Sequence, residues 1–298
     1  MSPASSARAD RVTHGMEVLR QLGYEVVAAE HALGKYAPYF SASTEERLAD
    51  LHGAFADPNV AAILCTRGGY GSNYLLEGLD LDLIRAHPKP FFAYSDHTAT
   101  QTWLLDQTGL VSFHGPMVAA DFAVENGVHL ESFRAAISGG LVRAGAEQGL
   151  RMLRPGTARG ILYGGCLSLL TASLGTRFAP RTEGKLLFLE DVGAKPYQID
   201  RMLRQMILAG KFEGARGFIF GEMLECGSRG ADPDLLQQVI LRLLEPFRVP
   251  IAIGLHSGHV SGGNVTLPFG TDAELVLESD QPLLHVLERA VTVPRHAR

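Results

Sequence analysis

The chain has 298 residues, 46% hydrophobic and 20% charged, with 27 basic against 32 acidic side chains and a net charge of −5. That length allows a large core and about two domains, and the acidic balance argues against nucleic acid or an anionic membrane surface as the main partner. The three cysteines, Cys65, Cys166 and Cys226, stand far apart with no C-x-x-C pair, a pattern that suits neither a zinc site nor a disulfide framework and fits a reducing compartment.

The polar start, MSPASSARADRVTHG, has no apolar h-region, so no secretory signal is read there. Apolar runs such as VPIAIGL are too short to span a bilayer, and the cytoplasm is the expected location. In chain order, residues 10–22 read as a helix and GYEVVAA (23–29) as a strand. SASTEERLADLHGAFAD (41–57) has helical spacing and a Ser/Thr-x-x-Glu start that predicts a capped helix. NVAAILCT (59–66) reads as a buried strand ending in RGGYG, and SNYLLEGLDLDLIRAH as a helical stretch. PFFAY (90–94) is the next strand, TATQTWLLDQTG the helix after it, and LVSF (110–113) a strand ending in HGPM. Strands alternating with helices imply a parallel sheet covered on both faces.

Around 140–160 the pattern breaks into a stretch rich in glycine, arginine and proline, as expected at a domain boundary. Beyond it KLLFLE (185–190), GFIFGE (217–222) and VPIAIG (249–254) read as strands, separated by the helices KPYQIDRMLRQMILAG and DPDLLQQVILRLLEPF. AELVLES and LLHVLERAV predict a closing hairpin. The expectation is an α/β protein: a Rossmann- or flavodoxin-like parallel sheet over 1–145, a linker at 146–160, and a C-terminal α/β domain over 161–298 with a smaller, mixed sheet. An opening strand is expected to be missing, because the polar start leads directly into a helix.

In open parallel sheets, ligands bind beyond the carboxyl ends of the strands. Those ends carry Arg67-Gly68-Gly69-Tyr70-Gly71, Ser95-Asp96-His97, His114-Gly115-Pro116, Glu190-Asp191 and His256-Ser257-Gly258-His259. A hydroxyl, carboxylates, imidazoles and a glycine-rich turn are the parts of a serine hydrolase. Ser95 sits where a strand turns into a helix, so it reads either as a nucleophile at a rigid turn or as an N-cap. Gly69 and the Asp96 N–H are candidate oxyanion donors. His97, His114, His256 and His259 compete for the role of base, and Glu190 and Asp191 for that of orienting acid; residue type does not separate them. The P-loop and dinucleotide fingerprints are absent, as is H-E-x-x-H, so neither cofactor nor metal is expected.

RGGYG, YSD, HGPM, GGCLSLL (164–170), LFLEDVGAKPYQIDRML (187–203) and GLHSGHVSGGNVTLPFG (254–270) stand in the order and spacing of a known group. Over roughly residues 10–292 the chain resembles the LD-carboxypeptidases, a serine peptidase family that includes the microcin immunity peptidases. The resemblance implies a triad of Ser95 as nucleophile, Glu190 as orienting acid and His259 as base. It also implies an oxyanion hole from the Asp96 N–H and a glycine of RGGYG, with Gly68, Gly69 and Tyr70 as the candidates there. It further implies a murein tetrapeptide substrate cut before its terminal D-alanine, in peptidoglycan recycling, and a homodimer. Arg67 and Arg201 are candidates for holding the substrate carboxylate. The microcin-immunity branch, cleaving peptidyl-nucleotide amides, is the alternative, and the single tryptophan, Trp103, is its weak point. An alternative of another class is a non-catalytic small-ligand-binding protein on the same scaffold. Cys166 stands where relatives often carry asparagine and reads as a small buried thiol.

Overall fold

The computed structural model describes residues 1–227, 232–278 and 281–292. Helix α1 (Ala9–Gln21) is followed by α2 (Thr44–Ala56), strand β1 (Ile63–Leu64), α3 (Leu81–Ala86), β2 (Phe91–Ala93), α4 (Thr98–Thr108), β3 (Ser112–His114) and α5 (Leu130–Ile137). The second half runs β4 (Arg143–Gly145), β5 (Arg151–Arg154), β6 (Gly156–Cys166), α6 (Leu167–Ala172), β7 (Lys185–Glu190), α7 (Pro196–Leu208), β8 (Gly217–Gly221), α8 (Leu235–Leu244), β9 (Ile251–Leu255), β10 (Leu267–Phe269), β11 (Asp272–Leu277) and β12 (Leu283–Val286). The predicted capped helix is α2: the Glu46 N–H donates to Ser43 Oγ at 3.2 Å, and the Ser43 N–H donates to the Glu46 carboxylate at 2.9 Å.

The elements form two sheets, one of four strands in the order β1-β2-β3-β10, the other of eight in the order β4-β12-β11-β6-β7-β8-β9-β5. The α/β class and the mixed C-terminal sheet are as expected, but the sizes are reversed: the C-terminal sheet is the larger. The reason lies in residues 143–166. Those up to 160, expected as the end of one domain and a linker, supply β4, β5 and the start of β6 to the eight-stranded sheet. The glycines and arginines that suggested a boundary serve two ends. β5 is an edge strand with Arg151 exposed, and the turn before it needs glycine at Gly149, which takes φ +81° and where a Cβ would sit 2.3 Å from the Gly254 carbonyl oxygen.

The first sheet is parallel through β1, β2 and β3, and is then closed by antiparallel β10 from far along the chain, with Leu267 opposite His114. GYEVVAA is not a strand; it runs irregularly, with Val27 81% exposed, so its apolar residues have no sheet to pair with. Alongside β1 lies Met1: its ammonium donates to the Leu64 carbonyl at 2.9 Å, and its own carbonyl accepts from the Thr66 N–H at 2.8 Å. The closing hairpin is present as antiparallel β11 and β12, while Ser279 of AELVLES lies outside the described residues.

The central strands β6 to β9 pair in parallel. β7 and β8 are buried almost throughout, as their unbroken apolar runs require. The two sheets meet through aromatic rings. Phe188 on β7 packs against His114 on β3, with ring centroids 5.1 Å apart, and against Phe269 on β10 at 6.1 Å. Because Phe188 is fully buried, Phe188→Ala is expected to cost about 3–5 kcal/mol. A fall in the urea unfolding midpoint at unchanged slope checks this.

Candidate active site

Strand β2 is fully buried and hands the chain to Tyr94 in extended conformation. Ser95 follows at φ +65°, a left-handed value uncommon outside glycine. A single 3-10 turn over Ser95–His97 then opens α4. A non-glycine residue in this region costs about 1–3 kcal/mol and persists where surroundings over-determine it. Here Asp96 is the clamp: its carboxylate accepts from the Ser72 N–H at 2.7 Å, and its carbonyl accepts from Ser72 Oγ at 2.7 Å. Gly68 lies against the turn, so that a Cβ there would stand 3.0 Å from Ser95 Oγ and 3.3 Å from the Asp96 nitrogen. Gly69 takes φ +104°. The Tyr70 N–H is occupied by Ser5 Oγ at 3.0 Å, whereas the N–H groups of Gly69 and Asp96 donate to nothing among the described residues.

The second cluster stands at the end of β7. Glu190 is fully buried. One carboxylate oxygen, Oε2, accepts from the His259 backbone N–H at 3.1 Å and pairs with His259 Nδ1 at 2.8 Å. Nδ1 therefore carries the proton and Nε2 is left as the basic nitrogen. Burial opposes ionisation of Glu190, yet the charge of His259 and its hydrogen bond hold the carboxyl below its ordinary value. Burial also works against the His259 cation, but the charge and hydrogen bond of Glu190 outweigh it and raise the imidazole. The other oxygen, Oε1, faces His114 Nε2 at 3.9 Å, and neither atom makes a hydrogen bond. Ser257 Oγ donates to the Val265 carbonyl at 2.7 Å, so it can only accept from His114 Nδ1, 3.1 Å away. Nε2 of His114 is then the unprotonated atom. Burial pushes this histidine down to about 4, which keeps it neutral.

The two clusters are held side by side. The Tyr94 ring meets the His259 imidazole edge-on at 5.2 Å. At the foot of α4 the Cys166 N–H donates to Thr98 Oγ1 at 3.0 Å, and Gly165 leaves no room for a Cβ, which would fall 2.6 Å from that oxygen. Ser95 Oγ makes no hydrogen bond to His259 among the described residues. Sequence reasoning missed the support beneath. Asn264 Nδ2 donates to Asp121 Oδ1 at 3.0 Å, and Asn264 Oδ1 accepts from the Gly258 N–H at 3.1 Å, bracing the turn that carries His259. Tyr94 OH reaches the same Asp121 oxygen at 3.4 Å, and burial lifts Asp121 to about 6. Tyr94, Asp121, Leu224, His259 and Ser261 line a cavity of about 190 Å³ beside the imidazole. Asn264 was inside a quoted motif, but nothing in its spacing marks a partner 143 residues away.

The remaining candidates lie elsewhere or serve other ends. His97 is buried with Nε2 on the Arg67 carbonyl at 3.0 Å. His256 packs against Gly149. Asp191 accepts from the Ser168 and Val192 N–H groups, so its oxygens hold backbone and do not reach an imidazole. Arg201 stacks on Tyr197 of its own helix, Arg67 is exposed above the RGGYG turn, and Trp103 packs edge-on against Phe178 at 4.8 Å. Of the four histidines and two acids left open by residue type, the fold joins only His259 and Glu190 by a direct hydrogen bond.

Residues 1–115 match the LD-carboxypeptidase N-terminal domain, and residues 159–275 match the LD-carboxypeptidase C-terminal domain. The chain belongs to the LD-carboxypeptidase family. It is thus a hydrolase of the serine peptidase type. A probable murein peptide carboxypeptidase of Bacillus subtilis is 38% identical over 92% of this chain and 87% of its own length. Among solved structures, a muramoyltetrapeptide carboxypeptidase from Oxalobacter formigenes superposes with a TM-score of 0.86 at 27% identity, covering 97% of this chain and 98% of that one. An MccF-like protein from Bacillus anthracis gives a TM-score of 0.86 at 29% identity, covering 97% and 95%. In this LD-carboxypeptidase, removing the buried charge isolates its effect on the His259 imidazole. Glu190→Gln should lower the His259 imidazole pKa from its raised position, as followed by a histidine NMR titration. A His259 titration unmoved by the substitution would contradict the pairing.

Proposed function

We propose that this protein is a serine carboxypeptidase that hydrolyses the L,D-amide bond to the terminal D-alanine of murein tetrapeptides, with Ser95, His259 and Glu190 as its triad. The observation that carries the reading is the 2.8 Å bond between His259 Nδ1 and the buried Glu190, which leaves Nε2 as the base beside the strained Ser95 turn. In this mechanism His259 takes the Ser95 proton as the hydroxyl attacks the scissile carbonyl, and Glu190 stabilises the imidazolium. The Gly69 and Asp96 N–H groups receive the oxyanion, each worth about 3–4 kcal/mol of transition-state stabilisation. His259 returns the proton to the leaving D-alanine amine, and then draws one from the water that releases the acyl-enzyme. Arg67, exposed and in no ion pair among the described residues, suits the substrate carboxylate. A role in peptidoglycan recycling, a cytoplasmic location and a homodimer belong to the same reading. No helix among the described residues is long and apolar enough to cross a membrane.

A second reading, cleavage of an aminoacyl-nucleotide amide, is favoured by one specific feature. Tyr39, Tyr70 and Tyr74 form an exposed edge-to-face cluster beside the RGGYG turn, and such faces stack on bases. Trp103 is not available for this, being packed on Phe178.

Incubation with L,D-tetrapeptide, followed by mass spectrometry, should show loss of one D-alanine. Ser95→Ala should reduce kcat by about 10⁴ to 10⁶ with the circular dichroism spectrum unchanged, and full turnover by that variant would remove Ser95 from the mechanism. Cleavage of an aminoacyl-sulfamoyl adenylate, with the tetrapeptide left intact, would select the second reading. Gly68→Ala, which pushes a methyl group into the Ser95 hydroxyl and toward the Asp96 N–H, should cut kcat by about 10² or more, the scale of one lost oxyanion donor. Steady-state kinetics showing an unchanged kcat would place the oxyanion elsewhere.

A further inference from the structure

The fold assembles a set of donor atoms that the hydrolytic mechanism does not use as a set. Cys166 and Glu190 are register partners on the parallel strands β6 and β7, so their side chains leave neighbouring strands on the same face. His259 arrives on that face from the loop after β9. One ligand atom from each residue, a sulfur, a carboxylate oxygen and a ring nitrogen, lies within 4.8 Å of the other two. Tetrahedral zinc, with bonds of about 2.0–2.3 Å, holds neighbouring donors roughly 3.3–3.8 Å apart. The donors therefore stand within about an ångström of that spacing, and the 2.8 Å pair of Glu190 Oε2 and His259 Nδ1 has to part slightly to admit a metal.

Two further observations fit a ligand here. Glu190 is fully buried, and its Oε1 has no hydrogen-bond partner. Cys166 Sγ makes weak contacts, with Ser168 Oγ at 3.2 Å and with the Leu169 backbone. A thiolate with an imidazole and a carboxylate selects thiophilic zinc over magnesium or calcium, which prefer oxygen alone.

We propose that Cys166, Glu190 and His259 form a binding site for a thiophilic divalent cation of the zinc type, and that occupancy reversibly inhibits the enzyme by engaging its base. Binding forms a sulfur–metal bond and releases the thiol proton to solvent. The metal replaces the hydrogen bond between His259 Nδ1 and Glu190: Nδ1 lends its lone pair while its proton passes to Nε2, so the imidazole stays neutral, the carboxylate lends an oxygen, and water fills the fourth position. Because a proton is released, affinity falls as pH falls. Inhibition rests on the proposed role of His259; metal binding itself does not.

The probe is cobalt(II), titrated into the reduced full-length protein while sulfur-to-cobalt absorption is read in the near ultraviolet. The expected result is one equivalent bound with a thiolate band that zinc abolishes by displacement. Cys166→Ser should lose the band although Cys65 and Cys226 remain, with Cys166→Ala as a second variant should the first misfold. In the activity arm, zinc should inhibit tetrapeptide hydrolysis by the wild type, a chelator should restore it, and Cys166→Ser should escape inhibition. The absence of a thiolate band in the wild type, its persistence in Cys166→Ser, or undiminished hydrolysis at saturating zinc would each overturn the proposal. If the wild type fails to hydrolyse the tetrapeptide at all, the proposed substrate is wrong, and the cobalt titration still decides the site.

Discussion

A carboxylate with no access to water governs the architecture of the candidate site. Desolvating a charged carboxylate costs several kcal/mol, recovered only where a well-placed partner supplies charge and hydrogen bonds. Glu190 has one such partner in His259, which offers it both a backbone N–H and a ring nitrogen. The same bond sets the imidazole tautomer and its orientation. His114, the other histidine nearby, is committed to Ser257 and kept neutral by its burial. Burial therefore does more than shield the acid, since it leaves a single histidine able to pair with it.

The chain path makes that pairing possible. After β9 the backbone leaves the eight-stranded sheet, forms the turn that carries His259, and joins the four-stranded sheet as β10 opposite β3. The His259 turn is thus the crossing between sheets, braced by Asn264 and Asp121. The Ser95 turn is pinned from the other side by Thr98 against Cys166. Glycines at 68 and 165 allow backbone contacts too close for any side chain. Rigid elements thus hold each half of the site, as precise positioning of reactive groups demands.

Legibility in the sequence followed the strength of local signals. KLLFLE became β7 over the same residues because an unbroken apolar run of that length has one good environment, the middle of a parallel sheet. The Ser43–Glu46 capping box was legible because it is made within four residues. GYEVVAA carried strand-like composition but found no partner, since strand formation depends on neighbours. Residues 143–160 erred the other way. Their glycines and arginines look like a linker, yet one edge of a sheet tolerates exposed arginine, and close backbone packing requires glycine. For the site, the strand-end positions of Ser95, Glu190 and His259 were visible, whereas Asp121 and Asn264 were not, since each is an ordinary polar residue until the fold brings them together.

The amino-acid order alone determined the α/β class, the run of buried parallel strands, the polar groups at their ends and, through its motifs, the family. The first three rest on local propensity and periodicity, which act between residues a few positions apart, whereas the family rests on the resemblance of the motifs. Only the tertiary structure decided which sheet is larger, that a late strand closes the early sheet, and which histidine meets the buried acid. It also set Cys166 beside Glu190 and His259, although the spacing of the cysteines had suggested no metal-binding arrangement. Those outcomes depend on register and on burial of charge across distant segments, and such energies come into being only when the segments are in contact.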